Sequence, residues 1–228
     1  MQIGILKADA IISSNFILPD EFKSLNIYQK DFKLDFSALE QRRMGYALKS
    51  ALSIVNSFDL SSQELKTIPI IFSSFSGESK QCVNLLKTLK DDFVSPTAFS
   101  LSVLNATPAQ MAILYQNQNE ISSISAKDSL EYGFINAFTK PNQKVILINY
   151  EEFSDNLEEF SYYTFGLLLD KNYTKKQCSL EYKMDKPKES KIYQSAFKLL
   201  KELNNNTNST WSIKSNLQWN WSLYGFDN

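Results

Sequence analysis

The sequence predicts an α/β protein whose helices layer on a mostly parallel sheet. Three observations carry this. Strand-like and helix-like segments alternate from residue 1 to residue 150, and such alternation builds strand–helix–strand units rather than a sandwich or a bundle. At 228 residues, with 43% hydrophobic and 13% aromatic content, the chain has apolar material for a domain-sized core. It holds only two cysteines, so no disulfide scaffold stands in for that core.

The elements follow in order. Residues 1–12 alternate loosely and read as an opening strand. From 37 to 55, Met44, Ala47, Leu48, Ala51, Leu52 and Val55 recur at helical spacing, and Ser37 with Glu40 makes a capping box at the start. Residues 67–73 hold Ile68-Pro69-Ile70-Ile71-Phe72, a buried strand with its proline near the beginning, where it is tolerated. A turn at Ser76-Gly77 leads into a second helix with Cys82, Leu85, Leu86 and Leu89 on one inward face. Ser95-Pro96-Thr97 opens a loop or extended segment. A third helix is predicted over 108–116, with Pro108 in the first turn. Residues 121–126 form a short strand and 128–138 a fourth helix, with Leu130, Phe134, Ala137 and Phe138 inward. Gly133 in mid-helix costs roughly 1 kcal/mol against alanine, so it marks close packing against another backbone. Residues 144–149 form a buried strand.

After 150 the pattern changes. Residues 165–170 and 178–184 are strand-like, and the loop 171–176 is placed to close them as an antiparallel pair. Residues 190–203 are amphipathic through Ile192, Ala196, Leu199, Leu200 and Leu203. A polar loop, 204–208, precedes an alternating aromatic tail around Trp211, Trp219 and Trp221, a final strand or an exposed edge. No repeat and no boundary interrupts the chain, so 1–228 reads as a single domain.

Composition excludes several function classes. The chain has no histidine, so Ser-His-Asp triads, Cys-His pairs, imidazole zinc ligands and histidine bases cannot form within it. No cofactor or metal is expected. A formal net charge of −1 gives no electrostatic reason to bind nucleic acid. No apolar run approaches the roughly 18 residues of a membrane helix, and no basic region precedes an apolar leader, so a cytoplasmic protein without a membrane span is expected.

Charge is local. Residues 151–160 carry five acids and no base, and 171–201 carry nine lysines against three acids. Both read first as solvated surface, and the second also as a basic patch for an acidic protein partner. Cys82 and Cys178 read as small buried hydrophobes. Gly77-Glu78 reads as a turn, with Glu78 near a helix N-terminus where its charge is favoured.

The most specific signal is the stretch 95–111, Ser-Pro-Thr-Ala-Phe-Ser-Leu-Ser-Val-Leu-Asn-Ala-Thr-Pro-Ala-Gln-Met. It is followed by Ser-Ile-Ser-Ala-Lys-Asp-Ser-Leu-Glu-Tyr-Gly-Phe-Ile-Asn-Ala over 123–137, and preceded by Phe75-Ser76-Gly77-Glu78 and Gln41-Arg42-Arg43-Met44. Together these resemble the β-ketoacyl synthase-like N-terminal domain family, and within it the short β-ketoacyl synthase chain-length factors of aryl-polyene-type clusters. The match is best over 1–150, with 151–228 completing the sheet. It departs at Leu104, where the family motif Ser-Val-His-Asn-Ala has histidine.

The resemblance implies a thiolase-like fold: a single ketosynthase N-terminal-type half, with a five-stranded mixed sheet and helices packed on it. In a ketosynthase the nucleophilic cysteine sits between a strand and a helix of the first half, and the catalytic histidines come from the second. The matching junction here is Ser125-Ala126-Lys127-Asp128-Ser129, which puts Lys127 at a vestigial nucleophile position. The implied function is a non-catalytic subunit that pairs as a heterodimer with a full-length β-ketoacyl-ACP synthase in polyene-type, fatty-acid-like biosynthesis and helps shape its acyl tunnel. Phe99, Ser100, Ser102, Val103, Leu104 and Asn105 are the expected partner or tunnel contacts, within an interface over 95–112 and 121–129. Arg42, Arg43, Lys175 and Lys176 are the expected contacts to an acidic partner such as acyl carrier protein. The alternative is a stand-alone acyl- or carrier-protein-binding module working through 171–201.

Overall fold

Ile3, Ile5, Ala10 and Ile12 are buried along strand β1 (Gln2–Ile12), which opens the computed structural model; it describes residues 1–25, 27–29, 32, 34–89 and 95–225, the side chains at 28, 29 and 43 excepted. A 3-10 turn, Asp20–Phe22, buries Phe22, and a two-residue strand β2 (Tyr28–Gln29) lies parallel to the end of β1. Ser37 caps α1 (Ala38–Arg43) with the predicted capping box. The helix does not run on to residue 55. It stops at Met44, whose backbone is extended, and Gly45 starts α2 (Tyr46–Asn56), which buries Ala47, Leu48, Ala51, Leu52, Ile54 and Val55. A second capping box, Ser61 with Glu64, starts the short α3 (Ser62–Leu65), an element outside the sequence expectations.

Strand β3 (Ile70–Ser73) begins just after Pro69, and α4 (Ser79–Thr88) follows the Gly77 turn, where φ is +59°. The segment expected as loop at Ser95 is helix α5 (Pro96–Leu101): the Ser95 hydroxyl accepts from Ala98 N, and proline stands in the first turn, both helix-start signals. Then come α6 (Ala106–Tyr115), β4 (Ile121–Ile124), α7 (Ser129–Thr139), β5 (Lys144–Phe153), β6 (Ser161–Asp170), β7 (Gln177–Lys183) and α8 (Gln194–Asn205). The aromatic tail forms a hairpin, β8 (Ser209–Lys214) and β9 (Gln218–Tyr224), with Trp219 and Trp221 buried rather than on an open edge.

The strands make one mixed sheet in the order β4-β3-β5-β6-β1-β7-β9-β8, with β2 beside β1. The expected five strands are therefore corrected to eight in line. Among the described residues only β3 with β4, β3 with β5 and β1 with β2 pair in parallel, so the sheet is mixed rather than mostly parallel. The 171–176 loop does not close β6 on β7, because β1 lies between them. β6 is buried from Tyr162 to Asp170 and needs a neighbour on each edge, which β5 and β1 supply. The loop crosses over Gly4, where a Cβ would stand 2.7 Å from Asp170 O and 2.8 Å from Tyr173 Cβ.

Two cores flank the sheet. One packs α7, α8 and the β9 tryptophans; the other packs α2 with Met111 of α6. Gly133 lets α7 approach closely, as expected, but what it meets are side chains: a Cβ there would stand 2.7 Å from Leu147 Cδ1 and 3.0 Å from Ser73 Oγ.

Candidate functional site

Ligands of open α/β sheets gather at the carboxyl ends of the parallel strands. Here those ends, Ser73, Ile124 and Phe153, face the N-termini of α4 and α7. Residues 125–128 form the strand-to-helix junction between β4 and α7, as the sequence suggested. Lys127 is half-exposed at the turn, and Asp128 is buried, its Oδ2 accepting from Trp219 Nε1 at 2.9 Å.

Just behind the junction lies a buried polar network. Glu151 Oε1 accepts from Ser129 Oγ at 2.8 Å and Phe75 N at 2.7 Å; its Oε2 accepts from Ser76 N and Ser76 Oγ, both at 2.8 Å. Asn149 donates to Ser129 Oγ at 2.8 Å and accepts from the Tyr163 hydroxyl at 2.9 Å. Burial pushes Glu151 above the usual carboxylate range, against the pull of these donors. The network ties β3, β5, β6 and the first turn of α7 together. Each polar group in it has a partner, the condition under which buried polar groups rigidify a core. Neither cysteine stands near the junction sequence.

A second pair of acids lines a cavity of about 220 Å³ between the α1–α2 joint, the start of α4 and the end of β5. Glu78 is only 5% exposed and Glu152 6%. Glu78 Oε1 accepts from Thr107 Oγ1 at 2.5 Å, and its other oxygen lies against Gly45, where a Cβ would collide with it. Glu152 accepts from Lys80 N at 2.7 Å and from the Tyr150 hydroxyl. Burial, then the charge of Glu152, holds Glu78 up at about 7, with the Thr107 bond pulling the other way. The rim carries Arg42, Lys49 and Lys80.

The surface beside this cavity is apolar. Helices α4 and α5 bury no side chain. Leu86, Phe99, Phe75 and Leu89 are 61%, 57%, 53% and 49% exposed. The two helices pack on each other, with Cys82 Sγ donating to Ser102 O at 3.3 Å; α5 also meets α6, which lies over β3 and β4. Among the described residues β4 is an edge strand, paired with β3 alone, with Ile121 exposed.

Of the contacts expected from sequence, Phe99, Ser100, Val103 and Asn105 are exposed on or just after α5; Ser102 is its C-cap. Leu104 is half-buried against the second core and the Gly77 turn. Arg42 is exposed at the cavity rim, and the side chain of Arg43 lies outside the described residues. Lys175 is exposed, and Lys176 half-buried, before β7. These two lie at the opposite end of the sheet from Arg42: β6 runs from Tyr162, opposite Glu152, to Asp170, opposite Lys144, eight residues or roughly 26 Å. Arg42 and the two lysines do not form one patch.

The structure corrects three further expectations. Cys82 is exposed rather than buried, on a helix that packs mainly on α5 and meets the sheet at β5; Cys178 is buried as expected. The inward face assigned to Leu86 and Leu89 points to solvent. Glu151 and Glu152 are not part of a solvated run: they continue β5 into the interior, where Ser76 and Lys80 N–H groups meet them.

A family model described as "Beta-ketoacyl synthase, N-terminal domain" matches residues 27–222. No curated protein matches the chain. Among solved structures, the ketosynthase ApeO in complex with its chain length factor ApeC, from Xenorhabdus doucetiae, is similar with a TM-score of 0.70 and 20% identity, over 97% of this chain and 99% of the matched one. The ishigamide ketosynthase/chain length factor is similar with a TM-score of 0.52 and 14% identity, over 67% of this chain; the chain spans about half, 54%, of that one. A type II PKS acyl-carrier protein in complex with its ketosynthase, AntDE:AntF, is similar with a TM-score of 0.52 and 11% identity, over 81% and 70%. These likenesses show a ketosynthase-type, thiolase-like fold. No helix among the described residues is long and apolar enough to cross a membrane.

Proposed function

The chain belongs to the β-ketoacyl synthase N-terminal domain family, and on that premise we propose that it is a non-catalytic, chain-length-factor-like subunit of a full-length β-ketoacyl-ACP synthase. One observation carries the reading. The helices α4 and α5 hold no fully buried residue and expose Leu86 and Phe99, with Leu89 exposed at the end of α4, and α5 packs on α6, which covers β3 and β4. An apolar layer of this kind is the signature of a surface completed by another chain. Phe99, Ser100, Ser102, Val103 and Asn105 would meet the partner, with Leu104 supporting them from behind. We read 1–228 as one domain of this family, working in the cytoplasm in aryl-polyene-type, fatty-acid-like synthesis.

Three further facts support a role without chemistry. The chain has no histidine to serve a thiol. Lys127 occupies the junction that would hold the nucleophile. Cys82, the exposed thiol, is pushed up by partial burial and by the charges of Glu152 and Glu78, which disfavours the reactive thiolate. Acyl carrier protein is the second partner of the assembly, with Arg42 at the cavity rim the better placed of the expected contacts.

The test is co-purification with a cognate full-length β-ketoacyl-ACP synthase, followed by a condensation assay with acyl and malonyl carrier protein. The expected result is a one-to-one complex and no condensation by the isolated chain. A chain that stays alone on size-exclusion chromatography with that ketosynthase, or that forms carbon–carbon bonds unaided, overturns the proposal.

A further inference from the structure

Behind the apolar layer, Glu78 and Glu152 share one cavity, and neither is ion-paired among the described residues. Glu78 touches three separate pieces of the fold. It is the N-cap of α4, its Oε1 takes the hydroxyl of Thr107 in the second residue of α6, and its Oε2 rests on Gly45 at the α1–α2 joint. Thr107 lies just past the largely exposed residues 99–105, so this hydrogen bond helps tie the base of that segment to the body of the protein.

The groups that face Glu78 come from every element around it. β5 contributes Glu152, held by Lys80 N and the Tyr150 hydroxyl. The α1–α2 arm contributes Arg42, Lys49 and Tyr46; Tyr46 stacks at 5.2 Å on Tyr162 of β6. α4 contributes Lys80 and Cys82. The Lys80 ammonium sits 4.6 Å over the Tyr46 ring, on an aromatic face instead of a carboxylate. From α6 only the neutral Thr107 reaches it.

We propose that Glu78 and Glu152 form a proton-operated latch that holds the α5–α6 segment, residues 95–107, in place. Two carboxyls sharing a buried cavity cannot both ionise cheaply. The position of Glu78, about 7, puts the release of that proton within the physiological range. With one proton in the cavity, both side chains stay inside and Thr107 keeps its acceptor. When the proton passes to solvent, the second negative charge drives Glu78 outward toward Arg42 and Lys80. Thr107 then loses its partner. Helix α5, with no buried side chain, has little to keep it in place. The latch acts within this chain and stands whether or not the surface meets a ketosynthase.

Hydrogen exchange on the isolated full chain at about pH 6 and about pH 8.5, corrected for the intrinsic pH dependence of exchange, tests this. Amides of 97–109 are expected to lose protection by roughly tenfold or more at the higher pH, while α2 and β5 hold theirs. Glu78→Gln, which cannot ionise, is expected to flatten that dependence, and Thr107→Val to leave the segment loose at both pH values. Flat protection in the wild type, or a pH dependence in Glu78→Gln equal to the wild type, overturns the latch. Should Glu78→Gln fail to fold, Thr107→Val decides: low, pH-insensitive protection supports the latch and wild-type behaviour overturns it.

Discussion

Glu78 shows how much one buried carboxyl weighs. Its folded position, about 7, lies above its ordinary 4.5, so the folded chain binds this proton more tightly than the unfolded chain. The group's contribution to stability is therefore highest below about 4.5 and falls as pH rises through about 7. Glu78→Gln is expected to raise the unfolding free energy read from urea titration at about pH 8, by at most about 3 kcal/mol at ~1.4 kcal/mol per pKa unit, with the gain vanishing toward about pH 4. An equal gain at both ends of that range would refute the assignment. Gly133 offers a second test. Alanine there gains about 1 kcal/mol of helix propensity, but its methyl would stand 2.7 Å from Leu147 Cδ1 and 3.0 Å from Ser73 Oγ. Overpacking of that kind costs about 1–3 kcal/mol, so Gly133→Ala is expected to lower stability or leave it unimproved; a clear rise in the urea midpoint would mean those side chains give way. The glycine was legible because it breaks a helical rule, whereas Glu78 and Glu151 were not. Their partners, Thr107 for one and Phe75 and Ser76 for the other, lie 29 to 76 positions away, and no local pattern announces them.

The start of α1 was legible because a side chain caps its own backbone, whereas the caps at Ser61 and Ser95 open helices outside the sequence expectations. Ser37 and Glu40 act within four residues, as do Ser61 and Glu64. Ser61→Ala is expected to cost about 1 kcal/mol in chemical denaturation, the usual weight of a lost cap. What an amphipathic face packs against was not legible. The apolar stripe of α4 looks the same whether it meets its own sheet or a second chain, and here Leu86 and Leu89 meet neither. Substituting Phe99, 57% exposed, by Glu is accordingly expected to leave the monomer's unfolding within about 0.5 kcal/mol, while weakening ketosynthase co-purification. Trp219, fully buried in β9, is the opposite case: Trp219→Ala is expected to cost about 3–5 kcal/mol.

For the molecule as a whole, the sheet decides what the chain offers to others. One end of it is the bare strand β4, the other the hairpin β8–β9. Clustering of the polar network, the acid-lined cavity and the apolar helices at the carboxyl ends of β3 and β5 makes that end the place to look for function. The basic residues near Lys175 sit at the far end. Neutralising Lys175 is thus expected to leave salt-dependent carrier-protein binding unchanged, whereas Arg42→Ala weakens it, as read by titration at two ionic strengths.

By itself the sequence determined the α/β alternation, the α1 cap, the absence of histidine chemistry and the family likeness of 95–111, because each depends on residue identity or on contacts within a few positions. Tertiary structure alone decided that β1 separates β6 from β7, that eight strands stand in line in the sheet with β2 beside β1, that two adjacent glutamates are buried, and that α4 turns its apolar stripe outward. Those outcomes depend on which distant segments compete for the same edge or cavity, a competition settled by burial over the whole chain rather than by any one stretch of it.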